Sequence, residues 1–156
     1  MAYHFALLPL LNAMNNLMAA HLPAYWNAQA QAARQNGHMT VGAEWMDAAS
    51  MSFHRPNFLG RRKCLLAPPV FSTITVNRNI VCDAHRDARN QAGLACLTAF
   101  GQWEGAELCF PRFAVAFHMR PGDLLMADTG RELHGNVAPL VGTRISVVAY
   151  LRACDS

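Results

Sequence analysis

Phe71-Ser72-Thr73-Ile74-Thr75-Val76 is alternating and rich in β-branched residues, the pattern of a strand with one face in a core and the other toward polar surroundings. Toward the C-terminus, similar pieces recur at Leu94–Phe100, Ala106–Phe110, Phe113–Phe117, Asp123–Met126 and Arg144–Leu151, separated by Gly, Pro or Asn. No helical pattern lies between them that could serve as a parallel crossover, so short strands at this spacing predict a mainly β, double-sheet roll. Gly101 and Gly105 frame Gln102-Trp103-Glu104, which reads as a hairpin turn.

Toward the N-terminus the period changes. Leu7, Leu10, Leu11, Met14, Leu17 and Met18 recur at three- and four-residue steps, predicting an amphipathic helix from about Leu7 to Ala20 that ends by Pro23. Ala28 to Gln35 predicts a second short helix stopped by Asn36-Gly37, and Trp45 to Met51 a further turn or two. Phe53 to Pro69, with Pro56, Gly60, Pro68 and Pro69, predicts loop. The expected organisation is one domain over residues 1–156, with helical and loop support at 1–69 and the β core at 70–156.

The 156 residues are 53% hydrophobic and 15% charged, which suits a single core and argues against a disordered tail, a coiled coil or a multi-domain enzyme. A net charge of +3 is too small to announce a nucleic-acid partner, but Arg55 to Arg89 holds seven bases and two acids. Arginine supplies all but one of the basic residues, and its planar fork suits carboxylate and phosphate. Five cysteines at wide spacing with no CxxC resemble neither a disulfide framework nor a zinc site, and point to thiols in a reducing, intracellular compartment. No run of 18 apolar residues predicts a membrane span. The apolar stretch at Phe5–Leu11 lacks an N-terminal Lys or Arg and is followed by Asn12, Asn15 and Asn16, so no signal peptide is expected.

His85-Arg86-Asp87 carries the chemistry. In an extended strand, His85 and Asp87 would point to one side and Arg86 to the other. His134, 47 residues beyond Asp87, is the best candidate for a third ligand. Two imidazoles and one carboxylate leave open positions on an octahedral metal, the donor set of non-haem Fe(II) oxygenases. Ten residues after His134, Arg144-Ile145-Ser146-Val147-Val148-Ala149-Tyr150-Leu151-Arg152 sets Arg144, Ser146, Val148, Tyr150 and Arg152 on one strand face. A face with two arginines, a serine and a tyrosine calls for a polar ligand, because buried charge needs a partner.

These motifs resemble those of the Fe(II)- and 2-oxoglutarate-dependent dioxygenase superfamily, and within it the TET/JBP-like branch that oxidises 5-methylpyrimidines in nucleic acid. The likeness runs from Phe71 to Arg152 through Ile74–Asn79, His85–Asn90, Gly105–Pro111, Arg120–Leu125, His134–Asn136 and the Arg144 strand. It implies a double-stranded β-helix (jelly-roll) core, with Fe(II), 2-oxoglutarate and O₂ as cofactors and His85, Asp87 and His134 as metal ligands. Arg144 resembles the residue that pairs with the distal carboxylate of 2-oxoglutarate, and Ser146 its hydroxyl neighbour. Asn90 resembles the residue that touches the Watson–Crick edge of a flipped base, and Tyr150 the aromatic that stacks on it. Asn77 and Arg78, just before the ligand segment, are expected at the substrate or cosubstrate mouth. Arg152 stands where TET-like proteins often carry a His, which leaves the choice between 5-methylcytosine and thymine open.

The implied activity is oxidation of the 5-methyl group of a pyrimidine in DNA, 5-methylcytosine first and thymine second. The expected partners are DNA and, for a chain this short, a targeting protein; nuclear placement follows if the organism is eukaryotic. Two other readings keep the fold: a 2-oxoglutarate-dependent hydroxylase of a protein side chain or small metabolite, and a catalytically silent β-roll binding module.

Overall fold

The computed structural model describes residues 2–35, 39–40, 64–65, 70–90, 93–137 and 140–153. The helical turn expected at Trp45–Met51 lies outside them, as does most of the loop expected over Phe53–Pro69. The chain forms two compact units, Met1–Thr73 and Ile74–Ser156.

The first unit holds α1 (Ala2–His21), α2 (Pro23–Gln35), and the short parallel pair β1 (Met39–Thr40) and β2 (Cys64–Leu65). Leu11, Met14 and Met18 of α1 are buried at the predicted helical spacing. Pro23 does not merely end α1. It opens α2, five residues before the start expected at Ala28, because a proline at the first helical position forfeits only an N–H that would be unsatisfied anyway. The Trp26 indole N–H donates to Asn15 Oδ1 at 3.0 Å, tying the helices together. Gln29, almost wholly buried, donates to the Val70 carbonyl at 3.0 Å. No helix among the described residues is long and apolar enough to cross a membrane.

The second unit is the mainly β double-stranded β-helix core. One sheet has the order β3-β9-β4-β7, from β3 (Thr73–Arg78), β4 (Ala95–Gly105), β7 (Leu124–Ala127) and β9 (Leu140–Tyr150). The other has the order β6-β5-β8, from β5 (Leu108–Phe110), β6 (Val115–Phe117) and β8 (Gly135–Asn136). The antiparallel β4–β9 ladder is the spine, running from Cys96↔Ala149 to Gly105↔Leu140. The end of the ladder at Cys96–Ala99 is the buried part, with Cys96, Thr98, Ala99, Val147 and Ala149. Burial pushes the Cys96 thiol up to about 12, so it is an inert core group rather than a nucleophile.

The hairpin turn read at Gln102–Glu104 is a strand instead. Gln102, Trp103 and Glu104 pair with Thr143, Gly142 and Val141. Gly101 permits this by taking φ +117°, with the Thr143 carbonyl oxygen 2.2 Å from where a Cβ would sit. A glycine inside a strand marks close backbone approach as readily as a turn. Gly101→Ala is therefore expected to destabilise the protein by at least about 1–3 kcal/mol, the scale of one residue held in a disfavoured backbone region. A urea midpoint equal to the parent's would show that the backbone contact is not needed.

Candidate active site

The ligand segment does not run as the extended strand expected from its spacing. His85 makes an isolated antiparallel bridge with His134, and a turn follows through Ala88 and Arg89. The bridge is reciprocal: His85 N donates to His134 O at 2.8 Å, and His134 N to His85 O at 3.0 Å. Gly135 makes the approach possible, since a Cβ there would lie 3.0 Å from the backbone of Cys82 and Ala84. Two backbone segments thus set both imidazoles on one centre.

The geometry is that of an assembled donor set. One ligand atom from each of His85, Asp87 and His134 lies within 4.8 Å of the others. His85 Nε2 is 3.5 Å from Asp87 Oδ1, and His134 Nε2 is 3.8 Å from Asp87 Oδ2. Each histidine places Nδ1 on a backbone carbonyl two residues upstream, Asp83 O at 2.8 Å for His85 and Glu132 O at 3.0 Å for His134. Donation from Nδ1–H to a carbonyl selects the tautomer whose Nε2 lone pair faces the centre, the usual outer support of a metal-ligating histidine. Phe110, buried, stacks on His134 with centroids 5.9 Å apart and fixes its ring plane.

A cavity of about 410 Å³ opens over the triad. Arg144, Ser146, Val148 and Tyr150 all line it, as the alternation of the β9 strand predicts, and so do Asn77 and Asn90. Arg152 does not line it; its backbone bridges Asn90. Arg78 is exposed and likewise stands outside the lining. Of the basic segment, Arg86 and Arg89 are exposed at the cavity's edge, and Arg86 Nε donates to the Arg131 carbonyl at 2.8 Å. Arg55 and Arg61-Arg62-Lys63 lie outside the described residues. His118 is exposed and pairs with Glu107 at 3.5 Å, away from the centre.

Arg144 is 8% exposed. Its Nη1 donates to the Ala106 carbonyl at 2.9 Å, and its Nη2 to the Ile80 carbonyl. Asn79, in the left-handed region at φ 54°, grips the same residue's backbone: Oδ1 accepts from Arg144 N at 2.7 Å, and Asn79 N donates to Arg144 O at 2.9 Å. Arg144 Nε is buried without a hydrogen-bond partner. Burial lowers the guanidinium's pKa, opposed by the neighbouring Cys82. A fixed, buried cation whose Nε has no partner is suited to receive an anion.

Residues 60–153 match the Tet_JBP family, the oxygenase domain of the 2OGFeDO superfamily. The chain belongs to that family. Its triad is the two-histidine, one-carboxylate set typical of Fe(II)- and 2-oxoglutarate-dependent dioxygenases. Among curated Tet_JBP relatives, the bifunctional helicase and thymine dioxygenase JBP2 of Leishmania infantum is 44% identical over 93 residues, covering 56% of this chain and 8% of that protein. JBP2 of Trypanosoma cruzi is 42% identical over 89 residues, covering 53% and 8%. The chain therefore spans a small part of the length of these relatives. Among solved structures, NgTET1 in complex with 5mC DNA aligns with a TM-score of 0.48 at 15% identity, over 69% of this chain and 42% of that one.

Asn79, Gly135, Phe110 and Thr129, whose carbonyl accepts from Asp87 N at 2.9 Å, shape the site, yet little in the sequence alone pointed to a role for them. Asn79 sits next to the flagged Asn77 and Arg78, and an asparagine suited to positive φ was the available signal. The others act through contacts between distant segments, which no local spacing displays.

Proposed function

We propose that this domain oxidises the 5-methyl group of a pyrimidine base in DNA, using Fe(II), 2-oxoglutarate and O₂. The observation that carries the reading is that Arg144, a buried cation whose Nε has no hydrogen-bond partner, lines the same cavity as His85, Asp87 and His134. The donors suit the group: neutral imidazoles and a carboxylate for Fe(II), and a guanidinium N–H for a dicarboxylate. When bound, iron and 2-oxoglutarate supply O₂ activation coupled to decarboxylation to succinate and CO₂.

The chain's own residues do the rest. His85 and His134 present Nε2, Asp87 contributes the negative charge, and Arg144 with Ser146 holds the cosubstrate carboxylate. A 410 Å³ cavity lies within the range of small-molecule sites, so a target base must leave its stack, at a cost of a few kcal/mol. Tyr150 offers an aromatic face for that base. Arg86 and Arg89 at the edge can meet phosphates, which makes binding salt-dependent. The names of the relatives favour thymine ahead of 5-methylcytosine.

Incubation with Fe(II), 2-oxoglutarate and oligonucleotides containing thymine or 5-methylcytosine tests the reading. Mass spectrometry is expected to find a base gaining one oxygen, with succinate in proportion. Succinate release stimulated only by a protein or small metabolite would overturn it.

A further inference from the structure

Among the described residues, Asp87 is the metal ligand whose side chain accepts a hydrogen bond from another side chain. Asn90 Nδ2 donates to Asp87 Oδ2 at 3.2 Å and to Thr129 Oγ1 at 2.8 Å. Thr129 is 1% exposed, and its carbonyl accepts from Asp87 N at 2.9 Å. Asn90 N closes the turn on Asp87 O at 2.9 Å. Backbone and carboxylate of the ligand are therefore both fixed from Thr129, beyond the end of β7, one directly and the other through the Asn90 amide.

We propose that Asn90 and Thr129 form a positioning clamp for the Asp87 carboxylate, so that metal affinity, and not only substrate recognition, depends on both. A carboxylate turns freely about its last torsion, and a hydrogen bond to one oxygen stops that rotation. The Asn90 amide has two protons, and these two acceptors take both. Asn90 thus offers the cavity only its carbonyl oxygen. Thr129 in turn keeps the Asn90 amide from swinging into the cavity, because its hydroxyl is the nearer acceptor.

The inference rests on the proposed metal centre, and its test separates the two. Mn(II) binding to the metal-free protein is measured by calorimetry for the parent, Thr129→Val, Thr129→Ser and Asn90→Ala. Thr129→Val and Asn90→Ala are expected to weaken Mn(II) binding about 10- to 100-fold, the range for outer supports of a ligand, with Thr129→Ser close to the parent. The double variant T129V/N90A should lose little more than either single one, because both act through one chain of bonds. If the parent binds Mn(II) and N90A binds it within about threefold, the clamp is wrong and the metal centre stands. N90A decides the matter even if T129V fails to fold, since Asn90 faces the cavity. A parent that binds neither Mn(II) nor Fe(II) would overturn the metal centre itself.

Discussion

Asp87→Ala is expected to abolish turnover of both 2-oxoglutarate and substrate while leaving the protein folded. The lost group is the single carboxylate among the three donors, and it faces both imidazoles at 3.5 and 3.8 Å. Without it, a divalent cation meets two neutral nitrogens and no compensating charge. The loss of metal affinity should exceed the roughly 100-fold that marks the upper end for an outer support. The fold should survive because the backbone bonds at position 87 do not use the side chain: its N–H still reaches Thr129 O and its carbonyl still accepts from Asn90 N. Calorimetry with Mn(II) reads the metal, circular dichroism the fold, and succinate release the turnover. A folded D87A protein with full iron-dependent activity would remove Asp87 from the centre.

Arg144→Met should have the second largest effect, on the cosubstrate rather than the metal. The guanidinium is held by the Ala106 and Ile80 carbonyls and keeps Nε unpartnered. Removing one partner of a buried, hydrogen-bonded charge pair costs about 2–5 kcal/mol. At about 1.4 kcal/mol per factor of ten, that weakens 2-oxoglutarate binding by roughly 30- to 4,000-fold. Stability should fall by less, because Ala106 O keeps its bond from Asn136 Nδ2 at 3.1 Å and a desolvated charge disappears. Arg144→Lys keeps the charge but cannot reach two carbonyls and a carboxylate from one nitrogen, so it should fall between Met and the parent. Mn(II) affinity should be unchanged in both variants. A 2-oxoglutarate affinity within about threefold of the parent in R144M would show that another group receives the carboxylate.

Much of this was legible from residue order. Alternation placed Arg144, Ser146, Val148 and Tyr150 on one face, and the cavity lining agrees, because a β strand's period of two holds whatever its neighbours do. The longer β strands were legible for the same reason and the α1 face from the helical period of 3.6, whereas the two-residue strands β1, β2 and β8 were not. Boundaries were not. Gly101 reads as a turn and is a strand residue, since only the partner strand shows that Thr143 O needs the room. Pro23 reads as a stop and is a start. His85 and Asp87 were rightly paired but not by an extended strand; the bridge to His134 places them. Thr129 carries no local signal, because its role depends on a turn 39 residues before it.

The reciprocal bridge between His85 and His134 also has a kinetic meaning. Its two amides can exchange deuterium only when segments far apart in sequence separate, and the donor set cannot survive that opening. A bound cation favours only the closed form, so it should slow exchange at both positions together and raise the melting temperature with its concentration. The same pair of bonds that shapes the centre is thus a gauge of how often it falls apart.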